Sequence, residues 1–408
     1  MSYYTSKIKT NLFDPAYDRN MVKSEFRLPS ERMLFSNWRL GNFGAYSDGN
    51  NEWLNFLTGM LGALRRLELF DGNVLLCQAD RANIQAAFKT YNKTNDSNKD
   101  TVQDLIGASM GFTFQKDASG TNVVMNGWKP HVENNGAGSG FKAWVYLAEL
   151  LPVLSRTQYM PTQVFKNLRL VVYYDAHNST LNYNCDTSQH PMLIVDELVD
   201  DGLIAAELKK FQGVNFQEVE VDRQVIAGLT PTAGNQTPEQ SLKFKLNGFH
   251  NKKVDRMLVV NNVLSDKGPF RQLYSQSMIN EKFQVRLNGR NLFPYGGLTK
   301  PNQRLARLHD TFGECTAPPG SNDIGLSHAA NHVATNTLGM IGSFDWKGFE
   351  IGDRVNDLQI EYERTGIYDA GAGSQDDVQY NKGFEMLFLG EVSKSIVRDG
   401  NSYKVMYN

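Results

Sequence analysis

Alternation of apolar and polar residues with a period of two is the strongest pattern in this chain, and in several places it runs into a tight-turn sequence. Leu242-Lys243-Phe244-Lys245-Leu246 alternates strictly and meets Asn247-Gly248. Phe283-Gln284-Val285-Arg286-Leu287 does the same and meets Asn288-Gly289. Asn-Gly supplies the positive φ angles of a type I′ turn, so each site predicts a hairpin corner. Leu67-Glu68-Leu69-Phe70 reaches Asp71-Gly72-Asn73 and returns through Val74-Leu75-Leu76. Near the C-terminus Ile396-Val397-Arg398 meets Asp399-Gly400-Asn401 and returns through Tyr403-Lys404-Val405-Met406-Tyr407. Corners spread over both halves predict an antiparallel, all-β architecture.

Further strands fit between the corners. Leu168, Leu170, Val172 and Tyr174 alternate with Arg169, Val171 and Tyr173, and Leu358, Ile360 and Tyr362 with Gln359 and Glu361. Val214 and Phe216 share one phase, Val219 and Val221 the other, which predicts a β-bulge at Gln217-Glu218. Helices are few: residues 79–93 carry Ile84, Ala87, Phe88 and Tyr91 at helical spacing, and residues 268–278 and 302–309 suit one to three turns each. Residues 141–151 read either as a buried strand or as a helix ended by Pro152. Polar stretches at 92–101, 116–140, 314–327 and 369–382 exceed an ordinary hairpin loop. The first thirty residues lack periodicity and predict an extended, mildly basic arm (1–30). The acidic, turn-like run Asp196-Glu197-Leu198-Val199-Asp200-Asp201-Gly202 precedes fresh strands from about Val214. It predicts a division into units 31–205 and 206–408.

Composition narrows the function. The 408 residues suit two or three domains. With 41% hydrophobic and 21% charged residues the chain belongs among ordinary globular proteins. Forty-two Lys and Arg against 44 Asp and Glu leave a net charge of −2. That balance argues against a general nucleic-acid binder and lets many copies pack with little repulsion. Cys77, Cys185 and Cys315 are far apart and form no CxxC. A disulfide framework and a Cys-rich zinc module are excluded, and three reduced thiols are the simplest reading, although one bridge remains open. The N-terminus has no apolar signal-peptide core, no stretch is long enough to span a bilayer, and the chain is expected to be made in a reducing cytoplasm. Without an export signal, the N-x-S/T matches at Asn92, Asn95, Asn178 and Asn235 carry no weight.

The search for reactive chemistry comes back nearly empty. GxxxxGK[ST], HExxH and GxSxG are absent. The glycines of Gly136-Ala137-Gly138-Ser139-Gly140 lack the strand before and helix after that would make a phosphate cradle. His328 and His332 have the i, i+4 spacing of two metal ligands on a helix, with His309-Asp310 and Glu314-Cys315 near in sequence. The small residues around them make surface or hydrogen-bonding histidines the better reading. Asp376-Asp377 and Asp200-Asp201 fit no calcium loop and read as solvated loop charges. Trp38, Trp53, Trp128, Trp144 and Trp346 suit a sandwich core or an interface better than a sugar-stacking platform. The expected site is therefore no site: no catalytic residue, metal or cofactor.

Several segments together resemble the double jelly-roll major capsid proteins of tailless icosahedral viruses, the adenovirus-hexon-like lineage, and especially those of polinton-like viruses and virophages. Residues 30–44 (SERMLFSNWRLGNFG) look like the entry into the first jelly roll, and residues 64–93 (LRRLELFDGNVLLCQADRANIQAAFKTYNK) like the strand, hairpin and helix that follow. Residues 149–175, containing LLPVLSRTQYMPTQVFKNLRLVVYYD, are similar to the end of the first barrel. Residues 283–313 (FQVRLNGRNLFPYGGLTKPNQRLARLHDTFG) are similar to a second-barrel segment. The resemblance rests on order and spacing from about Ser30 onward. It implies two jelly-roll sandwiches side by side with short helices in the loops, in a structural, non-enzymatic subunit. Homotrimers would form pseudo-hexagonal capsomers tiling a virion shell, with penton and minor capsid proteins as partners and no specific nucleic acid. Two other readings stay open: a jelly-roll carbohydrate-binding or carbohydrate-active protein, and another virion component such as a vertex or spike protein.

Overall fold

The computed structural model describes residues 7–15, 23–46, 64–93, 113–116, 122–125, 140–174, 191–229, 239–263, 281–294, 296–313, 346–365, 383–400 and 402–407. In chain order the first strands are β1 (Ile8–Phe13), β2 (Lys23–Arg27), β3 (Met33–Phe35), β4 (Arg39–Tyr46), β5 (Leu64–Asp71) and β6 (Val74–Asp80). After the helix Ala82–Lys93 come β7 (Thr113–Lys116) and β8 (Asn122–Met125), which pair with each other, then β9 (Gly140–Tyr146), β10 (Tyr159–Pro161), β11 (Leu168–Tyr174) and β12 (Met192–Leu198).

The register shows how these strands close. β3 and β4 follow one another along the same side of β12, and β9 and β10 follow one another along β4 and β3. Each couple is thus one strand in two pieces. Counted so, β1 pairs with β12, β2 with β11, β3/β4 with β9/β10, and β5 with β6. The first half of the ribbon pairs with its second half in reverse, and the doubled ribbon rolls into two sheets. One sheet runs β1–β12–β3/β4–β9/β10 and the other β2–β11–β5–β6. This is jelly-roll topology.

The helix Asp201–Lys210 leads to a second roll of the same plan: β13 (Gly213–Ile226), β14 (Glu239–Lys245), β15 (Lys253–Val263), β16 (Glu281–Leu287), β17 (Arg290–Asn291), β18 (Lys347–Arg354), β19 (Leu358–Thr365) and β20 (Phe384–Asp399). Its sheets run β13–β20–β15–β18 and β14–β19–β16–β17, and a final strand β21 (Ser402–Tyr407) folds back along β20. The helix Pro301–Phe312 lies against β18, where Gly348 leaves room: a Cβ there would sit 3.0 Å from Leu308 Cα.

Alternating strand direction puts three connections of each roll at one end. They are residues 28–32, 72–73 and 162–167 in the first roll and 246–252, 288–289 and 355–357 in the second. Backbone bonds cross-brace them: Gly72 N–H donates to Asn167 O at 3.0 Å, and Asn288 N–H to Asp357 O at 2.8 Å. We call this end the base.

Three of the four expected corners are two-residue hairpin loops. Asn288 and Gly289 both have positive φ (48° and 84°), and Gly72 and Gly400 take φ 58° and 63°. Asn247-Gly248 is not a hairpin, because β14 and β15 belong to different sheets and the segment crosses between them. The left-handed residue there is Asn251, φ 62°. The bulge expected at Gln217-Glu218 is absent too. β13 pairs with β20 in unbroken register, and Glu218 simply occupies a fully buried position of the strand. Residues 8–13 and 23–27, read as part of an arm, are strands that close both sheets of the first roll. Their side chains alternate weakly since β1 is half exposed, with Leu12 at 60% exposure. The helix expected over 79–93 begins at Ala82, its first residues being the end of β6. Pro152 starts a short helix, Pro152–Ser155, rather than ending one. The expected helix over 268–278 lies outside the described residues, whereas 302–309 falls within the helix Pro301–Phe312.

Candidate functional site

Among the described residues, no group of three or more His, Cys, Asp or Glu is placed to hold a metal ion. His328, His332, Glu314, Cys315, Cys185, Asp376, Asp377, Trp53 and Trp128 lie outside those residues, as does 136–139, and the side chain of Trp144 is likewise outside the description. His309 is half-buried on the helix Pro301–Phe312 and Asp310 is exposed, 3.8 Å from Arg307. Trp38 is fully buried and donates its indole N–H to Phe35 O at 2.7 Å, bridging the kink between β3 and β4. Trp346 is buried in the core. Neither offers a face to a sugar. Asp200 is more than a solvated charge: it caps the helix Asp201–Lys210 by accepting the Leu203 N–H at 2.8 Å, and it pairs with Lys7 at 2.7 Å.

Among the described residues, specific side-chain chemistry gathers at the seam between the two rolls. β6 and the helix Pro152–Ser155 pack against β13. One apolar cluster runs from the first roll straight across this seam, taking in Val214, Phe216, Leu258, Val260, Leu387, Leu389 and Ile396 of the second. Phe88, on the helix after β6, meets Phe312 at 4.8 Å and Trp346 at 5.4 Å between ring centroids. Those rings prefer the edge-to-face arrangement found here.

A buried ion pair sits within the seam. Lys394 Nζ lies 2.9 Å from Glu218 Oε2, with the two side chains 1% and 0% exposed. The other carboxylate oxygen accepts the backbone N–H of Gln78 on β6, a strand whose outer edge has no strand neighbour among the described residues. A carboxylate from one roll thus seals an open edge of the other. Burial pushes Glu218 above the usual carboxylate range, outweighing Lys394 and the Gln78 N–H. Burial also works against the charge on Lys394, but Glu218 more than offsets it and the ammonium is held above its ordinary value. The nearby Cys77 thiol is pushed well up by burial and by the Glu218 charge, which makes it an inert core thiol. Further along the seam, Arg81 reaches across to Glu385 at 2.8 Å, and Arg223 joins the same carboxylate at 3.2 Å.

The C-terminal hairpin locks the connection between rolls. Arg398 donates to the carbonyls of Leu208 and Phe211 at the end of the helix Asp201–Lys210, and its backbone N–H reaches Gln212 O at 3.0 Å. The rings of Tyr403 and Phe165 meet at 4.9 Å between centroids, tilted by 57°. Burial and a bond to Asp71 hold the Tyr403 phenol far above the usual tyrosine range. Such an arrangement ties the two sandwiches together. Sequence reasoning missed Glu218 and Lys394 because a charged residue in a strand reads as outward-facing. Holding the Val214–Phe216 phase for one more step would have put Glu218 inside.

No family model matches the sequence, and no curated relative matches it. Solved structures do match. The VP54 protein of PBCV-1, in a crystal structure fitted into a reconstruction of the virophage Sputnik, aligns with TM-score 0.60 at 10% identity, over 98% of this chain and 97% of that one. The mavirus major capsid protein aligns with TM-score 0.55 at 10% identity, over 99% of this chain and 90% of that one. The chain has the double jelly-roll fold. Sputnik virophage, solved by cryo-electron microscopy, offers a third double jelly roll at TM-score 0.55 and 9% identity, covering 98% and 88%. At these identities the likeness speaks for the fold, and the strand pairing agrees with it independently.

Proposed function

We propose that this chain is a major capsid subunit, a structural protein without catalytic residues, cofactor or metal. The observation that carries this reading is that the match to capsid proteins runs over 98% and 99% of the chain, both rolls included. Two rolls of one strand order, locked by an apolar seam, give one subunit two similar lobes. Three such subunits give a six-lobed, pseudo-hexagonal tile, and symmetry lets one edge patch serve many contacts in an icosahedral shell. Contacts within the trimer are large and apolar; contacts between trimers, and to penton and minor capsid proteins, are smaller and more polar. The division near residue 205 belongs to the same reading, with the first unit starting forward of residue 31, at β1. Its place is the virion, after synthesis in the host cytoplasm.

Mass photometry and negative-stain microscopy of the purified protein test the proposal. The expected particle has three times the chain mass, a three-fold outline and six lobes. A monomer at every concentration, or a five-fold particle as a vertex protein would form, defeats it.

A further inference from the structure

We infer that the base of the second roll is a binding surface for the phosphate backbone of nucleic acid, contacted by Lys253, Arg290 and Arg354 without sequence preference. Lys253 and Arg354 stand directly opposite each other in the β15–β18 pair, and both are exposed. Like charges in that position destabilise a sheet. None of the three cations has a carboxylate at salt-bridge distance among the described residues: of the carboxylates around them, Asp357 and Glu220 are already paired with lysines, and Asp222 and Asp353 accept backbone N–H groups. Asp353 accepts the Arg354 backbone N–H at 2.7 Å, and Asp357 takes Lys245 at 2.9 Å and Gln359 at 2.6 Å. Glu220 takes Lys252. Arg286, also exposed, turns its Nε to Gly289 O at 3.2 Å.

The three loops that present these cations are fastened together. Asn288 donates its amide to Arg354 O at 3.1 Å and accepts the N–H groups of Asn356 and Asp357 at 3.0 Å each. His250 Nδ1 lies 2.9 Å from Asn356 O, and Asn251 N–H reaches Val355 O at 2.8 Å. The charges are therefore presented on a braced tip. The base of the first roll differs: Arg27 and Arg169 share Glu25 at 2.9 and 3.7 Å, and Arg32 takes Glu197 at 2.8 Å.

The chemistry of the tip selects its partner. Leu246, Phe249 and Val355 are buried, so no apolar wedge is available for a bilayer. Exposed Asn247, Asn251, Asn291 and Asn356 add amide donors suited to phosphate oxygens. Among the described residues, the exposed ring at these loops, Tyr407, is already engaged by Lys252 at 5.2 Å, which leaves the phosphate backbone as what is read. A net charge of −2 argues against affinity spread over the whole surface and says nothing against this local excess. The inference goes beyond the shell reading without resting on it; in a shell, the polyanion at hand is the packaged genome.

Fluorescence anisotropy of a labelled, random-sequence DNA duplex, titrated with the full chain over a salt series, is the test. Three phosphate contacts predict a slope of log affinity on log salt near about −3. The variant Lys253→Gln/Arg290→Gln/Arg354→Gln should bind about tenfold or more weakly at low salt and lose most of that slope. Lys253→Glu separates charge from misfolding. It turns a repulsive cross-strand pair into an attractive one, so melting temperature should rise while DNA binding falls. Absence of wild-type binding at low salt, a triple variant with wild-type slope, or binding to phosphatidylserine vesicles but not to DNA overturns the inference. The particle mass of the same sample reports on the shell reading separately.

Discussion

The two rolls share one strand order and differ in how they hold their cores. The second encloses its own: Phe283, Val285, Ile360, Tyr362, Met386 and Phe388 form a cluster drawn wholly from residues 226–392. The core of the first is continuous with the seam and is completed by side chains from β13, β15 and β20. A sandwich needs both faces of its apolar layer covered. The first roll obtains part of that cover from the second, and its β9/β10 strand is interrupted to help. Residues between β9 and β10 leave the sheet and bury Leu147, Leu150, Leu151, Val153 and Leu154, with the helix Pro152–Ser155 against β13. Equal topology does not mean equal independence.

The strongest way to break this asymmetry is at the seam. Lys394→Met leaves Glu218 buried without its cation and should cost about 3–5 kcal/mol at neutral pH by chemical denaturation. Lys394→Met with Glu218→Gln should recover much of that loss. Hydrogen exchange should place the new opening in β5, β6 and β11 and leave β16 and β19 protected; equal loss in both rolls would refute the asymmetry. Gly213→Ala comes next, on the order of 3 kcal/mol. Gly213 has φ 134°, and a Cβ there would run into Ile396 O at the root of β13. Asn288→Ala is milder and local. It removes three hydrogen bonds that tie the base of the second roll and a residue suited to positive φ, for about 1–2 kcal/mol. The increased exchange should stay within residues 286–291 and 354–358.

What the sequence made legible follows from the range of each interaction. The corners at Asp71, Asn288 and Asp399 are local: two residues of turn between strands that pair with each other. Asn247-Gly248 has the same composition, but β14 leaves one sheet for the other there, and no neighbouring residue encodes that. β1 pairs with β12 across most of the first half of the chain, and polar clasps hold it: Thr10 and Arg39 on Asp196, Asn11 and Arg32 on Glu197. A six-residue strand with an exposed Leu12 and polar anchors resembles an arm until its partner is known. The absence of a familiar reactive motif was legible, since such motifs are short. The seam was not, because its defining residues are single charges whose burial depends on a surface more than a hundred residues away in sequence.

The gentlest probe of the asymmetry is acid. Asp200 is held below the usual carboxylate range by its hydrogen bond from Lys7 and by the Leu203 N–H, and Asp399 by Lys404. In the second roll Asp357 is lowered by Lys245 and Glu361 by Lys243. Their folded values lie below the unfolded ones, so their stabilisation is present above the ordinary carboxylate range and fades as pH falls through the depressed values. Glu218 and Lys394 are raised, so their contributions run the other way: full at low pH, and lost as pH rises through each folded value. Acidification should therefore spare the buried pair and loosen only the exposed bridges, which salt already screens. Asp200→Asn tests this finely, because the amide still caps the helix while the charge toward Lys7 is gone. Melting temperature at neutral pH should barely move, and the small decline of the wild type as pH falls below the ordinary carboxylate range should flatten in the variant. An unchanged acid limb would mean that the linker helix draws nothing from Lys7.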